Sequence, residues 1–476
     1  MVWELRPIEI DVRVRDCRAR LPFRFGIVTM TAAPLLLVRI KVETQDGRRG
    51  EGFASDLLVP KWFTKNPDAS LADDWQELLD DVAAAKGSAL NDAGFSSVFE
   101  HWCRIHRARV DPAPAGAGLL RSLGVSLIER GMIDAACRLA GVPMHEALRQ
   151  DLLGFRPGEV DESLESWRVS EFFARAPLDR LTLRHTVGLA DRLRETEVSA
   201  EERVGDGLPE SLEADIRRYG LVHFKLKVVG DDEQVCERLS AVARVVRPGA
   251  GDAARFTLDG NEQFESMHEL ADSLARARAM DAGAAWLLER VMWIEQPLPR
   301  GRSFDSIACD GITRLGVPCI IDEADDSIDA FVRAVERGYR GVSIKNCKGV
   351  FKALINAGRC ALSEGRLFQS GEDLTNLPVV ALQQDLTTMA TIGIASVERN
   401  GHHYFAGMAH LSEADASEAC TRHPDLYCDG LLQVRDGQIS TASVVRARGF
   451  GYDGPVDVET WTPAERWSPD VLLDGR

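Results

Sequence analysis

The sequence carries no excess of positive charge, no long apolar run and no paired cysteines. Its 57 Lys and Arg are outnumbered by 74 Asp and Glu, a formal net charge of -17. That excludes a nucleic-acid or anionic-membrane surface, since both need a basic footprint. No stretch approaches the roughly 18 consecutive apolar residues of a membrane span. The first residues, MVWELRPIEIDVRVRD, have no basic segment leading into an apolar one, so a cytoplasmic protein is expected. The ten cysteines are scattered, with no CxxC pair and no His/Cys cluster at zinc spacing. They are read as small core residues and thiols in a reducing compartment.

What is present is an ordinary globular composition, 45% hydrophobic and 28% charged, in a chain of 476 residues. That length exceeds one hydrophobic core and predicts two domains, one of them a large α/β barrel. Three textures follow along the chain. Ile8, Ile10, Val12 and Val14 alternate strictly with Glu9, Asp11 and Arg13, and Val38 to Val42 alternates likewise before an Asp46-Gly47 turn. This is an antiparallel meander with one wet face. From about Leu71 to Leu148 the pattern is helical, ending at Gly141 and Pro143. Residues 151–210, rich in Glu, Arg and Asp, read as long loops or solvated helix. From about residue 221, apolar strands such as HFKLKVV, RFTLDG, VMWIEQP, PCIIDEA, GVSIKN, RLFQSG and IGIASVE alternate with amphipathic segments. Repeated βα units imply a parallel sheet covered on both faces.

The polar residues at the strand ends carry the functional signal. Lys227, Asp259, Glu295, Asp322 and Lys345 follow one another at spacings of 32, 36, 27 and 23 residues, each suited to one βα unit. In a β/α barrel the carboxyl ends of the strands meet at one mouth, where the chemistry sits. Three carboxylates from adjacent strands form a hard-oxygen set, with neither His nor Cys, which favours Mg²⁺. A lysine beside another cation and near a divalent ion loses part of its preference for the charged form, so a fall of its pKa toward working pH is expected. Such a lysine serves as a general base. Lys225 and Lys227 share one strand face by alternation.

These residues resemble the motifs of the enolase superfamily, nearest the branch of muconate lactonizing enzyme and the dipeptide epimerases. KLK at 225–227, DGN at 259–261, EQP at 295–297, DEA at 322–324 and IKNCKG at 344–349 match its KxK, DxN, ExP, DE and late-strand Lys motifs in order. The resemblance implies a modified TIM barrel, (β/α)7β, with an α+β capping domain formed by the N-terminal region and the C-terminal tail. The expected divisions are 1–150 for the capping domain, 151–410 for the barrel and 411–476 for the returning tail, in which LLQVRDGQISTASVVRARGFGYD looks like the part that completes the cap.

The resemblance further implies that Asp259, Glu295 and Asp322 hold Mg²⁺, with Glu323 the alternative to Asp322. Lys227 and Lys345 then face opposite sides of the α-carbon of a small carboxylate, and one removes the α-proton to give an enediolate. Lys225 contacts the carboxylate and tunes Lys227. Asn261, Glu398 and Lys61 are candidate substrate contacts, and RFGIVTM at 24–30 with LVPKWF at 58–63 occupies the place of the family's specificity loops. Lys348 is expected to face solvent, and His402 and His403 to have partners away from the pocket. The expected reaction is racemisation or epimerisation; dehydration and cycloisomerisation are the alternatives on the same scaffold, and a non-catalytic metal-binding protein the alternative of another class. No His-Asp dyad appears on the late strands, which disfavours a mandelate racemase type of base. ASVERNGHHY lacks the Asp-x-Asp pair by which dipeptide epimerases hold an ammonium group. A homo-oligomer is implied by the habit of relatives.

Overall fold

The strict alternation near the N-terminus becomes a sheet because one face has somewhere to go. In a computed structural model describing residues 2–92, 94–114 and 116–473, β1 (Leu5–Phe25), β2 (Val28–Thr44) and β3 (Arg49–Leu57) form an antiparallel meander. Ile10 sits opposite Ile40 and Val12 opposite Val38. Their apolar face is covered by helices α1 (Leu71–Asn91), α2 (Val98–Arg109), α3 (Gly118–Ala140) and α4 (Met144–Arg149). Ser70 with Asp73, and Ser97 with Glu100, close reciprocal caps at the starts of α1 and α2. Gly141 ends α3 in the left-handed conformation at φ 68°. The helix α3 lies directly on β3: a Cβ on Gly52 would come within 2.2 Å of the Gly131 carbonyl, so this approach requires glycine.

Eight parallel strands follow: β4 (Arg180–Val187), β5 (His223–Lys227), β6 (Arg255–Asp259), β7 (Val291–Glu295), β8 (Cys319–Ile321), β9 (Gly341–Ile344), β10 (Phe368–Gly371) and β11 (Ser396–Arg399). They pair in sequence order and β11 pairs back with β4, closing a barrel. Apolar residues such as Phe224, Leu226, Phe256, Leu258 and Ile294 join the core shared with the surrounding helices. The alternate set, Lys225, Lys227, Thr257, Asp259 and Glu295, is buried as well, though polar. Alternation therefore sends one set of side chains outward and the other into the barrel.

The stretch 151–210 differs from its loop reading, because it contains β4, the strand that closes the barrel. LTLRHTV holds Arg184, His185 and Thr186, all buried, and these polar residues concealed a strand interior. The tail also divides its work. Gln438–Ser440 adds antiparallel to β4 on the barrel, Phe450 N–H donates to Asp134 of α3, and Thr462–Pro463 pairs with β1. Cap and barrel are further tied by Glu129 of α3, which accepts the N–H groups of Val350 and Phe351 at the start of helix Val350–Leu362. Among the described residues, no helix is long and apolar enough to cross a membrane.

Candidate active site

Lys227, Asp259 and Glu295 are the last residues of β5, β6 and β7, and they are neighbours in register across the three strands. Asp322 and Lys345 follow the ends of β8 and β9 directly. All five side chains are buried. The sequence therefore brings together the whole expected constellation at one end of the barrel.

Ammonium groups stand between the carboxylates. Lys225 Nζ lies 2.7 Å from Glu295, 2.7 Å from Glu372, 3.1 Å from Glu398 and 3.2 Å from Asp259. Lys227 Nζ donates to Asp259 Oδ2 at 2.6 Å. Lys345 Nζ donates to Asp322 Oδ2 and lies 4.7 Å from the centroid of the Trp62 ring. Burial alone favours a neutral Lys225, but Glu295, Glu372, Glu398 and Asp259 outweigh it and raise its pKa well above the ordinary value. Lys345 is raised too, burial being overcome chiefly by Asp322. Around Lys225 and Lys345 the carboxylates outnumber the cations and hold both ammonium groups in the charged form. Glu295 is pushed far up by burial and by Asp259 and Glu372, whereas Asp322 is held well below the usual range because Lys345 and Lys348 overcome its burial.

Other expectations separate clearly. Asn261 and Glu398 line the cavity between these residues. Asn261 stands at φ 44°, its N–H donating to Asp259 Oδ1 at 2.9 Å. Glu398 receives Lys225, Thr186 and the Asp373 N–H. Lys61 does not reach the cavity: its ammonium group binds the Asn66 carbonyl at 2.8 Å and Asp74 at 3.1 Å, folding the loop onto α1. Lys348 is not a solvent residue but is buried, donating to the Asp322 carbonyl and to Ser343 Oγ, both at 2.8 Å. It sits in a turn that returns its side chain under β8.

Several residues escaped sequence reasoning. Gln296, at φ 36°, accepts the Asp322 N–H at 2.8 Å and the Ala324 N–H at 3.1 Å, fixing the strand end that presents Asp322. Arg184 pairs with Glu372 and packs 4.9 Å from the Trp293 ring, and Thr186 donates to Glu398. The i, i+2 spacing of Arg184 and Thr186 was the available signal, obscured because β4 itself was unread.

The cavity is tight, about 30 Å³, and is roofed by Phe23, Phe25, Val59 and Trp62 from the cap. Arg300 holds that roof: it donates to the carbonyls of Phe63 at 3.0 Å and Trp62 at 3.1 Å while paired with Glu262 at 3.0 Å. Lys65 adds a bond to the Asn261 carbonyl at 3.2 Å.

A divalent cation is chemically compatible with the acidic set. Asp259, Glu295, Asp322 and Glu323 offer oxygens alone, and both Glu323 oxygens and Asn261 Oδ1 are buried without a hydrogen-bond partner among the described residues. Burial and the neighbouring Asp322 push Glu323 up to about 7. Among the described residues, donor atoms of His185, Asp215 and His402, a different group, already stand within 4.8 Å of one another.

A family described as enolase C-terminal domain-like, of the mandelate racemase and muconate lactonizing enzyme type, matches residues 208–453. No curated protein matches the chain significantly. Among solved structures, an enolase from Bradyrhizobium complexed with magnesium and mandelic acid is 16% identical, with 95% of this chain and 96% of that one covered and a TM-score of 0.59. An enolase from Pseudomonas fluorescens with bound magnesium, potassium and tartrate is 14% identical over 99% of this chain and 94% of that one, at TM-score 0.59. A dipeptide epimerase from Enterococcus faecalis, complexed with Mg and L-Leu-L-Tyr, is 15% identical over 84% and 90%, at TM-score 0.55. At these identities the structural likeness speaks for the fold.

Proposed function

The chain belongs to the enolase superfamily, in its mandelate racemase/muconate lactonizing enzyme group, and from that premise we propose that it abstracts the α-proton of a small carboxylate in a Mg²⁺-dependent reaction, as a racemase or epimerase. One observation carries this reading. Lys227 ends β5 and Lys345 follows β9, four strands apart in a closed eight-stranded barrel, so the two ammonium groups approach the same cavity from opposite walls. A pair so placed can take a proton from one face of a carbon and return one to the other.

Asp259, Glu295 and Asp322 would hold the metal, with Glu323 next to the third ligand. Bound there, Mg²⁺ supplies Lewis-acid stabilisation of negative charge on a carboxylate. The protein's own residues do the rest. Lys225, fixed by Glu295, Glu372 and Glu398, places a positive charge beside Lys227 and the acidic set. Phe23, Phe25 and Trp62 exclude water, which strengthens every charge interaction beneath them. Glu398 is committed to Lys225, Thr186 and the Asp373 N–H, so little of it remains for a substrate ammonium group; this favours hydroxy acids or N-acylated acids over dipeptides.

Dehydration shares the first step and differs in what leaves next. Incubating the protein and Mg²⁺ with single enantiomers of hydroxy, sugar and N-acylamino acids separates the two by polarimetry and NMR. Appearance of the opposite enantiomer supports the racemase reading, whereas a keto acid formed with loss of water transfers the protein to the dehydratases. Binding of Mg²⁺ without turnover of any acid in a broad library would favour a non-catalytic protein.

A further inference from the structure

Between Arg184 and Thr186, which face the barrel interior, His185 points the other way, into the layer between the barrel wall and helix Leu212–Tyr219. It meets Asp215 of that helix and His402 and His403 of the short helix Gly401–Tyr404, which follows β11. All four side chains are buried. His185 Nδ1 lies 3.1 Å from His402 Nε2, His403 Nδ1 lies 2.9 Å from Asp215 Oδ2, and His185 Nε2 lies 3.8 Å from the same oxygen.

A structural hydrogen-bond network would be expected to close, because an unmet buried polar group is costly. This one closes only in part: His185 meets His402 and His403 lies against Asp215, but polar atoms are left over. Neither Asp215 oxygen accepts a hydrogen bond of good geometry, and His402 Nδ1 has no partner among the described residues. One donor atom from each of His185, Asp215 and His402 stands within 4.8 Å of the other two. The 3.1 Å between the imidazole nitrogens is close to the separation of two ligands on one tetrahedral ion, about 3.3 Å for Zn–N bonds of about 2.0–2.1 Å.

We propose that His185, Asp215 and His402 form a second metal site, for a divalent transition ion of the zinc type, on the outer wall of the barrel. Two imidazoles and one carboxylate select such an ion over Mg²⁺, which prefers oxygen. His403, whose Nδ1 lies 2.9 Å from Asp215, orients the carboxylate. The site has a way in, since His402 and Tyr219 form part of the wall of a cavity of about 40 Å³. Its place explains its use: it joins β4, the end of β11 and the helix leading to β5, at the seam where the barrel closes. It acts as a clamp on that seam and takes no part in the proton chemistry inside.

The test uses the full chain, stripped with a chelator and reloaded with Zn²⁺ in the presence of excess Mg²⁺. Zinc content after dialysis is measured for the wild type, Glu295→Gln and His402→Gln, and the zinc X-ray absorption spectrum is recorded on the wild type. The expected result is one retained zinc per chain with imidazole scattering, undiminished in Glu295→Gln and at least tenfold weaker in His402→Gln. A coordination shell of oxygens alone overturns the proposal, as does zinc that is lost in Glu295→Gln and kept in His402→Gln. The spectrum decides the matter even if His402→Gln does not fold. A wild type that retains no zinc also overturns it.

Discussion

The ammonium group of Lys345 lies 4.7 Å from the centre of the Trp62 ring while it donates to Asp322. Trp62 belongs to the loop after β3 and Lys345 to the mouth of the barrel, so one contact joins the cap to the lysine proposed as a base. A cation over an aromatic face contributes about 0.5–2 kcal/mol, more where water is excluded. Trp62→Leu should therefore lower kcat by about 2- to 30-fold, with Trp62→Phe recovering most of it. Equal rates for the two variants would remove the ring from the account.

Lys227→Ala and Lys345→Ala should each bind Mg²⁺ as the wild type does and lose about 10²- to 10⁴-fold in turnover, the range of a general acid or base. Titration calorimetry and rate measurement on one preparation separate the two effects. Full activity in either variant would show that its lysine is not a base.

Arg300→Met should free the roof without touching the acidic set. Its guanidinium holds the Trp62 and Phe63 carbonyls and the Glu262 carboxylate. Protease cleavage within residues 58–66 should become faster, and KM should change more than the affinity for Mg²⁺. An unchanged cleavage pattern would mean that Lys61 and its bonds to Asn66 and Asp74 suffice to hold the loop.

Glu129 gives the protein a stability that depends on pH. Burial pushes its carboxyl from an ordinary 4.5 up to about 8, against the pull of the Val350 and Phe351 N–H groups and Arg130. Below pH 4.5 it is protonated whether folded or unfolded. As the pH rises, the unfolded chain releases a proton that the folded chain keeps, so this contribution to stability is lost between about 4.5 and 8. Glu129→Gln should flatten the fall of the melting temperature over that window and match the wild type near pH 4.5. A parallel curve for the variant would assign the pH dependence elsewhere.

Much of this was legible in the sequence because the barrel repeats one device. Each strand from β5 to β9 ends at a polar residue or is followed directly by one, and spacing in the sequence matches Lys227, Asp259, Glu295, Asp322 and Lys345 to one mouth. Alternation likewise exposes the meander of the cap. What stayed hidden is set by contacts between distant segments. Arg184 and Thr186 lie in a strand whose polar residues face inward to Glu372 and Glu398, partners 188 and 212 positions away, so β4 read as loop. Lys61 and Lys348 looked available, but the loop backbone and Ser343 claim them. The His185, Asp215 and His402 cluster has no sequence spacing to betray it, since its members meet only when β11 returns to β4.

The most direct test of the proposed chemistry is deuterium incorporation at the α-carbon of a substrate acid in D₂O, followed by mass spectrometry for the wild type with and without Mg²⁺ and for Lys227→Ala and Lys345→Ala. Exchange that needs Mg²⁺, proceeds from both enantiomers in the wild type and survives for opposite single enantiomers in the two variants is the predicted result. Exchange that persists undiminished without Mg²⁺, or that both variants catalyse equally from either enantiomer, would contradict it.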